Sequence, residues 1–245
     1  MLVLVDQNTI FRITNKNLKI KLKNFIRVKI CCISSVEEAM LAIKYGASAL
    51  GLVSEMPSGP GVIGEALITE IASKIPPPIA TFLLTSKQNA EEIINQQLRT
   101  KVNALQLVDY VPHKELQVLR KQLTGIKLVQ VIHVLDDHSV EDALSVQEYV
   151  DALLLDSGNP KLEVKELGGT GRTHNWSISK KIKDKVNLPV FLAGGLKPGN
   201  VLEAIKIVQP YCLDICSGVR TKSRLDEGKL KFFFENVNKC NFGLA

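Results

Sequence analysis

Short apolar, β-branched runs alternate along the chain with amphipathic segments of helical period from residue 27 onward. This alternation predicts parallel strands joined by crossover helices. The predicted strands cover 27–32, 48–53, 79–84, 104–107, 127–134, 151–155, 189–193 and 211–216. The first predicted helix is opened by Ser34 or Ser35 and stops at Gly46; the others cover 65–74, 90–98, 113–123, 140–149, 177–185, 198–208 and 225–238.

The chain contains eight strand-then-helix units, and eight is the number that closes such a sheet into a cylinder. The sequence therefore predicts an α/β protein with a single (β/α)8 TIM barrel over residues 27–245. An open doubly wound sheet is the alternative. Residues 1–26 are basic and belong to none of the units. We expect them to form an N-terminal extension, either an arm over the barrel bottom or a tail without fixed structure.

The formal net charge of +6 suits an anionic small metabolite, because a positive field attracts anions. Nucleic acid is not expected as a partner, since the basic residues form no stripe and aromatic residues make up only 5%. Residues 1–6 lack the features of a signal peptide, and no apolar run reaches the roughly 18 residues that a membrane helix needs. Five cysteines, an odd number, favour a reducing compartment, so a cytoplasmic protein is expected. Neither metal-ligand spacing nor a nucleotide-binding loop is present, so no metal and no cofactor are expected.

In a barrel of this class, chemistry gathers where the strands run into the loops that follow them. The first predicted strand ends with Lys29 and Cys31 on one face, and a lysine below a thiol favours the thiolate. A buried structural cysteine is the alternative. Asp156 follows three leucines at the end of the sixth strand, where we expect a half-exposed carboxyl group with a raised pKa, suited to general acid catalysis. A turn or helix-cap carboxylate is the alternative.

Three glycines, Gly168, Gly169 and Gly171, lie within four residues of the longest predicted loop. They allow the backbone to approach a ligand closely, although glycines also simply make turns.

Two later strand ends also carry small residues: Gly194 and Gly195 follow strand seven, and Ser217 and Gly218 follow strand eight. The first N–H groups of the segments beyond them lack intrahelical partners and can bind an anion. Barrels of this class often bind phosphate at these two loops. The spacing therefore predicts a phosphate site, with plain tight turns as the alternative.

Taken in order, these stretches resemble phosphoribosylanthranilate isomerase, a barrel enzyme of tryptophan biosynthesis. The matching stretches are 28–31, 46–51, 154–157, 168–171, 176–177, 191–196, 200–201 and 214–219. The resemblance implies an Amadori rearrangement, in which an aminoaldose phosphate becomes an aminoketose phosphate. It assigns the base to Cys31, the acid to Asp156, and substrate binding to the glycine-rich stretches and the segment from Asp214.

The chain departs from the family's pattern at four places. Cys32 stands where the family has glycine, Gly61 where it has an arginine facing the anthranilate carboxylate, and Val108 where it has histidine. The pair His174-Asn175 replaces Phe-Asp. The acid and the base are therefore kept, while groups that recognise the anthranilate end are lost.

Two hypotheses follow from this pattern. In the first, the protein is an authentic isomerase that uses Arg172, Lys29 or a loop lysine for the carboxylate. In the second, it is a paralogue that acts on, or only binds, another sugar phosphate. In either case we expect a small phosphorylated metabolite as the partner and a monomer or homodimer.

Overall fold

The computed structural model describes residues 25–243 of the chain. Its eight main strands form one closed parallel barrel, in which the first strand also pairs with the last. The strands are Arg27–Ile30 (β1), Ala49–Val53 (β2), Ala80–Thr85 (β3), Ala104–Leu107 (β4), Lys127–His133 (β5), Ala152–Asp156 (β6), Val190–Leu192 (β7) and Cys212–Ile215 (β8). The predicted (β/α)8 barrel is confirmed, and the open sheet is wrong.

A helix follows each barrel strand along the chain. The helices are Val36–Tyr45 (α1), Glu65–Lys74 (α2), Ala90–Thr100 (α3), His113–Gln122 (α4), His138–Val146 (α5), Trp176–Lys185 (α6), Val201–Val208 (α7) and Glu227–Phe242 (α8). At the start of α1 the Ser35 side chain accepts a hydrogen bond from the N–H of Glu38, and at its end Gly46 adopts a left-handed φ of 110°. Both are common helix-capping arrangements, so the predicted limits of this helix are confirmed.

Apolar side chains are buried on both faces of the barrel strands, as expected for a parallel sheet covered by helices. Inward-facing residues such as Phe82, Leu154 and Phe191 fill the barrel interior. Outward-facing residues such as Leu105 and Leu153 belong to the core beneath the helices. Because the interior is filled, space for a ligand lies at the ends of the strands rather than along the axis.

Several predicted boundaries differ from the structure by a few residues; helix α5, predicted over 140–149, is His138–Val146, and α8 ends at Phe242 rather than at 238. Three of the differences have a local cause. Strand β1 ends at Ile30, because Cys32 has a φ of 62° and cannot continue an extended strand. Helix α7 begins at Val201 rather than at 198, because residues 197–200 form a turn in which the Asn200 side chain accepts from the N–H of Lys197. Leu225, predicted to begin the last helix, lies instead in a short strand.

That short strand is half of a hairpin absent from the sequence prediction. A 3₁₀ turn, Ser217–Val219, follows β8 and leads into the strands Arg220–Thr221 (β9) and Arg224–Leu225 (β10). The hairpin places the Arg220 guanidinium against the carbonyl oxygens of Cys31 and Cys32, at 3.1 and 2.7 Å. It thereby supports the loop that follows β1.

The predicted N-terminal extension, 1–26, lies outside the described residues except for Phe25 and Ile26. Ile26 is buried, and its N–H and carbonyl oxygen hydrogen-bond the Asn241 side chain of α8 at 2.7 and 3.2 Å. Ile26 therefore packs as part of the barrel. Within residues 25–243, no helix is long and apolar enough to cross a membrane.

Candidate active site

A cleft opens at the carboxyl ends of the barrel strands. The cleft is lined by nine of the predicted site residues, namely Cys31, Asp156, Gly168, Gly169, Gly171, Gly194, Gly195, Asp214 and Ser217. The tenth, Gly218, lies just behind the wall, where a Cβ atom would overlap the carbonyl oxygen of Leu196. The structure therefore brings the predicted residues to one place.

Cys31 follows the last residue of β1, and its N–H donates to the carbonyl oxygen of Ile215 at 2.9 Å. Lys29 is fully buried, with Nζ 2.9 Å from both carboxylate oxygens of Asp214. Burial opposes the charge of Lys29, but Asp214, followed by Cys31, raises its pKa above the usual value. A Cβ atom at Gly51 would lie within 2.9 Å of both Cys31 Sγ and Lys29 Nζ, so the two side chains share one face, as predicted.

Asp156 ends β6 with its carboxyl group at the cleft. Burial raises the pKa of Asp156, although the carboxylate accepts a hydrogen bond from the N–H of Ser157 at 2.7 Å. The predicted direction of the pKa shift is confirmed. The predicted half-exposed position is wrong, since Asp156 is only 8% exposed. Gly168 covers it so closely that a Cβ atom there would lie 2.8 Å from Asp156 Oδ2.

The segment 168–171, here called the glycine loop, forms one wall of the cleft. Gly168, Gly169 and Gly171 have φ values of 141°, 70° and 69°, which favour glycine. A Cβ atom at Gly169 would overlap the ring of Pro60, so the loop packs on the segment after β2. Thr170 Oγ1 lies 2.8 Å from Ser157 Oγ, next to Asp156. The conformation thus brings the loop backbone onto the carboxyl group.

Two backbone turns, 194–195 and 217–218, lie at the ends of β7 and β8, and all of their residues except Gly218 line the cleft; we call them the amide turns. Within residues 25–243, the N–H groups of Gly194, Gly195, Ser217 and Gly218 donate to no backbone or side-chain acceptor. Unpaired amides at neighbouring turns form a concave site for an anion. The geometry suits the predicted phosphate site.

Two positions where the resemblance implies polar recognition residues have no such side chain. Gly61 packs directly against Cys32, so that a Cβ atom at residue 61 would overlap it. Val108 is 1% exposed and belongs to the apolar cluster of the barrel interior. Neither position offers a charged or hydrogen-bonding side chain to a ligand.

The cations proposed from sequence for a ligand carboxylate already have acidic partners. Lys29 pairs with Asp214 below the cleft, and Arg172 pairs with Glu166. The loop lysine Lys165 lies with its Nζ atom 2.6 Å from a carboxylate oxygen of Asp109. Within the described part of the chain, no lysine or arginine lines the cleft. The same residues include no cluster of three or more His, Cys, Asp or Glu able to hold a metal ion.

Gln106 on β4 is a cleft residue that the sequence reasoning did not select. It is 4% exposed, and its Oε1 has no hydrogen-bond partner within residues 25–243. A buried acceptor without a partner is costly, so the position favours a ligand that donates to it. The sequence signal for Gln106 is a polar residue at an inward position of an otherwise apolar strand, 104–107.

The pair His174-Asn175 lies where the chain enters α6. Asn175 caps the helix, since its side chain accepts from the N–H of Ser177 at 3.0 Å. Asparagine and aspartate are comparable helix caps, so this departure from the family's pattern preserves the local structure. His174 Nε2 lies 2.6 Å from Ser179 Oγ, and burial lowers the pKa of His174 to about 4. The ring is therefore neutral at physiological pH.

The fold and the cleft together define a (β/α)8-barrel protein with a thiol, a buried carboxyl group and unpaired backbone amides at the carboxyl ends of its strands. The family model for N-(5'phosphoribosyl)anthranilate (PRA) isomerase matches residues 28–236. The chain belongs to this family.

Curated relatives and solved structures agree with this assignment. The chain is 37% identical over 219 residues to N-(5'-phosphoribosyl)anthranilate isomerase 2 of Methanosarcina mazei, covering 89% of this chain and 96% of that protein. It is 34% identical over 212 residues to the isomerase of Methanocella arvoryzae, covering 86% and 97%. The isomerase structure from Thermotoga maritima superposes with a TM-score of 0.75 at 28% identity, covering 87% of this chain and 98% of that one.

Proposed function

We propose that the protein converts N-(5'-phosphoribosyl)anthranilate, an aminoaldose phosphate, into the corresponding aminoketose phosphate in tryptophan biosynthesis. The observation that carries this proposal is the convergence of Cys31, Asp156 and the amide turns on one cleft. A related isomerase structure, with a TM-score of 0.73, holds reduced 1-(o-carboxyphenylamino)-1-deoxyribulose 5-phosphate. An analogue of that kind has the phosphate and the aromatic amine that this cleft would have to hold.

Asp156 is proposed as the general acid. Because burial raises its pKa, part of the Asp156 population stays protonated at a pH where an exposed aspartate is fully ionised. The carboxylic acid gives its proton to the furanose ring oxygen, the C1–O bond breaks, and the amine nitrogen lone pair forms an iminium ion. The glycine loop shields this charge separation from water.

Cys31 is proposed as the base. Its thiolate removes the proton from C2, and the C–H electron pair forms the enolamine as the iminium nitrogen regains its lone pair. Tautomerisation of the enolamine then gives the ketone, so the oxidation at C2 balances the reduction at C1. The Lys29 side chain lies on the same face of β1 as Cys31.

The amide turns are proposed to hold the phosphate through the N–H groups of Gly194, Gly195, Ser217 and Gly218. The anthranilate ring is proposed to lie on the apolar wall formed by Met56, Leu84 and Leu167. Either Arg172 or Lys165 would have to leave its acidic partner to reach the carboxylate of the substrate. We therefore expect substrate affinity to depend more on phosphate than on the carboxylate.

The test is turnover of N-(5'-phosphoribosyl)anthranilate by the purified protein, together with rescue of a tryptophan auxotroph that lacks the isomerase. We expect turnover and growth with the native chain, and a loss of roughly 100-fold or more in kcat with Cys31→Ala or Asp156→Asn, a typical scale for removing a general acid or base. Matched controls are Cys240→Ala on α8 and the exposed Asp184→Asn on α6, which should keep activity. A folded native protein with no turnover overturns the proposal.

We further propose that the enzyme is a cytoplasmic monomer or homodimer acting on a free metabolite, with no nucleic-acid partner. A related isomerase from Thermotoga maritima is described both as a dimer and as monomers derived from it. The odd number of cysteines, five, fits a reducing compartment. Sedimentation velocity measures the assembly state, and a larger oligomer would contradict this proposal.

A further inference from the structure

Two thiols that the proposed reaction does not use lie side by side on the cleft wall. The Sγ atoms of Cys32 and Cys216 are 2.7 Å apart, and both residues line the cleft. A disulfide requires an S–S distance of about 2.05 Å, so only a small shift separates the pair from bonding distance. The two residues are 184 apart in sequence, and barrel closure brings them together.

The backbone holds these thiols in place. The ladder between β1 and β8 continues one residue further, through the hydrogen bond from the N–H of Cys31 to Ile215. Beyond it, Cys32 turns at a φ of 62°. Arg220 secures the turn by donating to the carbonyl oxygen of Cys32 at 2.7 Å. Cys216 is half-buried and lines the cleft.

We propose that Cys32 and Cys216 are a reversible oxidation site that forms a disulfide with a hydroperoxide such as H2O2. Formation of this bond does not depend on the proposed isomerase function. Only its effect on turnover rests on that function.

The electrons and protons of the step balance. The thiolate of Cys216 attacks one peroxide oxygen, the O–O bond breaks, and the sulfur becomes a sulfenic acid. The departing hydroxide or alkoxide takes up the proton that the Cys216 thiol released on ionising, and leaves as water or an alcohol. The sulfur of Cys32 then attacks the sulfenic sulfur, the S–S bond forms, the S–O bond breaks, and the hydroxide leaves as water with the proton of Cys32. The two thiols are oxidised by two electrons, and the peroxide is reduced by two.

The groups around each thiol determine which sulfur attacks the peroxide first. The contact with Cys32 lowers the pKa of Cys216, and the nearby Arg220 guanidinium lowers it further, against the effects of burial and of Asp214. The same contact raises the pKa of the Cys32 thiol, and burial adds to this. Cys216 is therefore the attacking thiolate, and Cys32 is the resolving thiol.

The bond would join the two functional ends of the cleft. Cys32 directly follows the proposed base Cys31, and Cys216 directly precedes Ser217 of the amide turns. Drawing the sulfurs together moves both segments, so we expect the oxidised protein to lose at least about tenfold in kcat/KM, a scale that small misplacements of catalytic groups readily reach. A dithiol reductant should restore activity.

The experiment treats the purified full chain with H2O2, blocks the remaining thiols by alkylation, and maps the tryptic peptides by mass spectrometry. We expect the peptides 30–44 and 207–220 to be joined, with a mass loss of about 2 Da reversed by dithiothreitol. Fragment ions separate Cys216 from Cys212 and Cys32 from Cys31. The cross-link should persist in Cys31→Ser and in the control Cys240→Ser, and it should disappear in Cys32→Gly and Cys216→Ser.

Cys32→Gly suits the left-handed turn, so it tests the pair without a folding defect. The proposal is overturned if the cross-link survives in Cys32→Gly, if it joins Cys31, or if the peroxide leaves only singly oxidised thiols. A disulfide in a protein without isomerase turnover would still support the oxidation site while refuting the proposed function.

Discussion

Cys32 and Gly61 occupy one shared space beside the cleft, because a Cβ atom at Gly61 would overlap the Cβ atom of Cys32. Cys32 also has a φ of 62°, a conformation that favours glycine. The resemblance implies glycine at the first position and arginine at the second. Both departures from that pattern therefore fall in one shared space.

This relationship predicts a non-additive pair of substitutions. Gly61→Ala should destabilise the native protein by about 2–4 kcal/mol, from overlap with Cys32 and from the φ of 78° at residue 61. In a Cys32→Gly background the overlap with the Cys32 side chain disappears, while the backbone strain and the 3.0 Å approach to the Cα atom of residue 32 remain. Urea unfolding of the four proteins should give a coupling free energy of at least about 1 kcal/mol. Additive effects would show that the two positions do not share space.

Gly218 and Gly199 provide a matched test of the amide turns. A methyl group at Gly218 would overlap the carbonyl oxygen of Leu196, so Gly218→Ala must displace one turn from the other. Gly199 has open space around its Cβ position. We expect Gly218→Ala to raise KM for the phosphorylated substrate by about tenfold, a loss of about 1.4 kcal/mol in binding, and Gly199→Ala to leave KM unchanged.

Inorganic phosphate serves as an independent probe of the same turns. It should inhibit the native protein and Gly199→Ala competitively, and inhibit Gly218→Ala more weakly. Equal inhibition of all three proteins would place the phosphate somewhere other than the amide turns.

The sequence predicts the barrel because each strand is a short apolar run bounded by turn residues. This pattern is visible among residues that lie close together in the sequence. It predicted Asp156 for the same reason, since a carboxylate directly after Leu153–Leu155 has to lie at a strand end. The hairpin after β8 could not be predicted in this way. Its guanidinium group, on Arg220, is bound by Glu38, which lies 182 residues earlier.

Several details of the site could not be predicted from the sequence, for a similar reason. The contact between Cys32 and Cys216 requires closure between β1 and β8, and strand spacing does not reveal which side chains then meet. The cations expected for the ligand carboxylate pair instead with acidic groups, as Arg172 does with Glu166. Such pairing depends on the path of the loops, which composition and periodicity do not determine.

The unpartnered Gln106 predicts opposite effects on stability and activity. Gln106→Leu removes a buried acceptor that lacks a partner, so the free energy of unfolding should stay the same or rise by about 1 kcal/mol. The same change removes an acceptor for the substrate, so kcat/KM should fall by about 10- to 100-fold, the scale of one lost hydrogen bond in a buried site.

Gln96 on α3 is the matched control, because its Oε1 is also buried without a partner within residues 25–243 but lies outside the cleft. Gln96→Leu should leave kcat/KM unchanged. An equal loss of activity in both variants would attribute the Gln106 effect to general packing, and no loss in either would remove Gln106 from the site.

The buried ring of His174 predicts a dependence of stability on pH. Its pKa is lowered from 6.5 to about 4 in the folded protein, so between these values the unfolded chain binds the proton more readily. The neutral His174 ring therefore contributes to the free energy of unfolding fully above pH 6.5, and this contribution is lost as the pH falls toward 4. Between about pH 7.5 and pH 5 the loss should be about 2 kcal/mol, seen as a lower urea midpoint.

His174→Phe isolates this contribution, because phenylalanine keeps an aromatic ring at the position and does not titrate. Carboxylates also titrate as the pH falls, so the informative quantity is the difference between the two proteins. The variant should lose less stability than the native chain over the same range, and the gap should close above about pH 7, where an unfolded histidine is mostly neutral. If the two proteins lose stability in parallel, the His174 ring is not held neutral by burial.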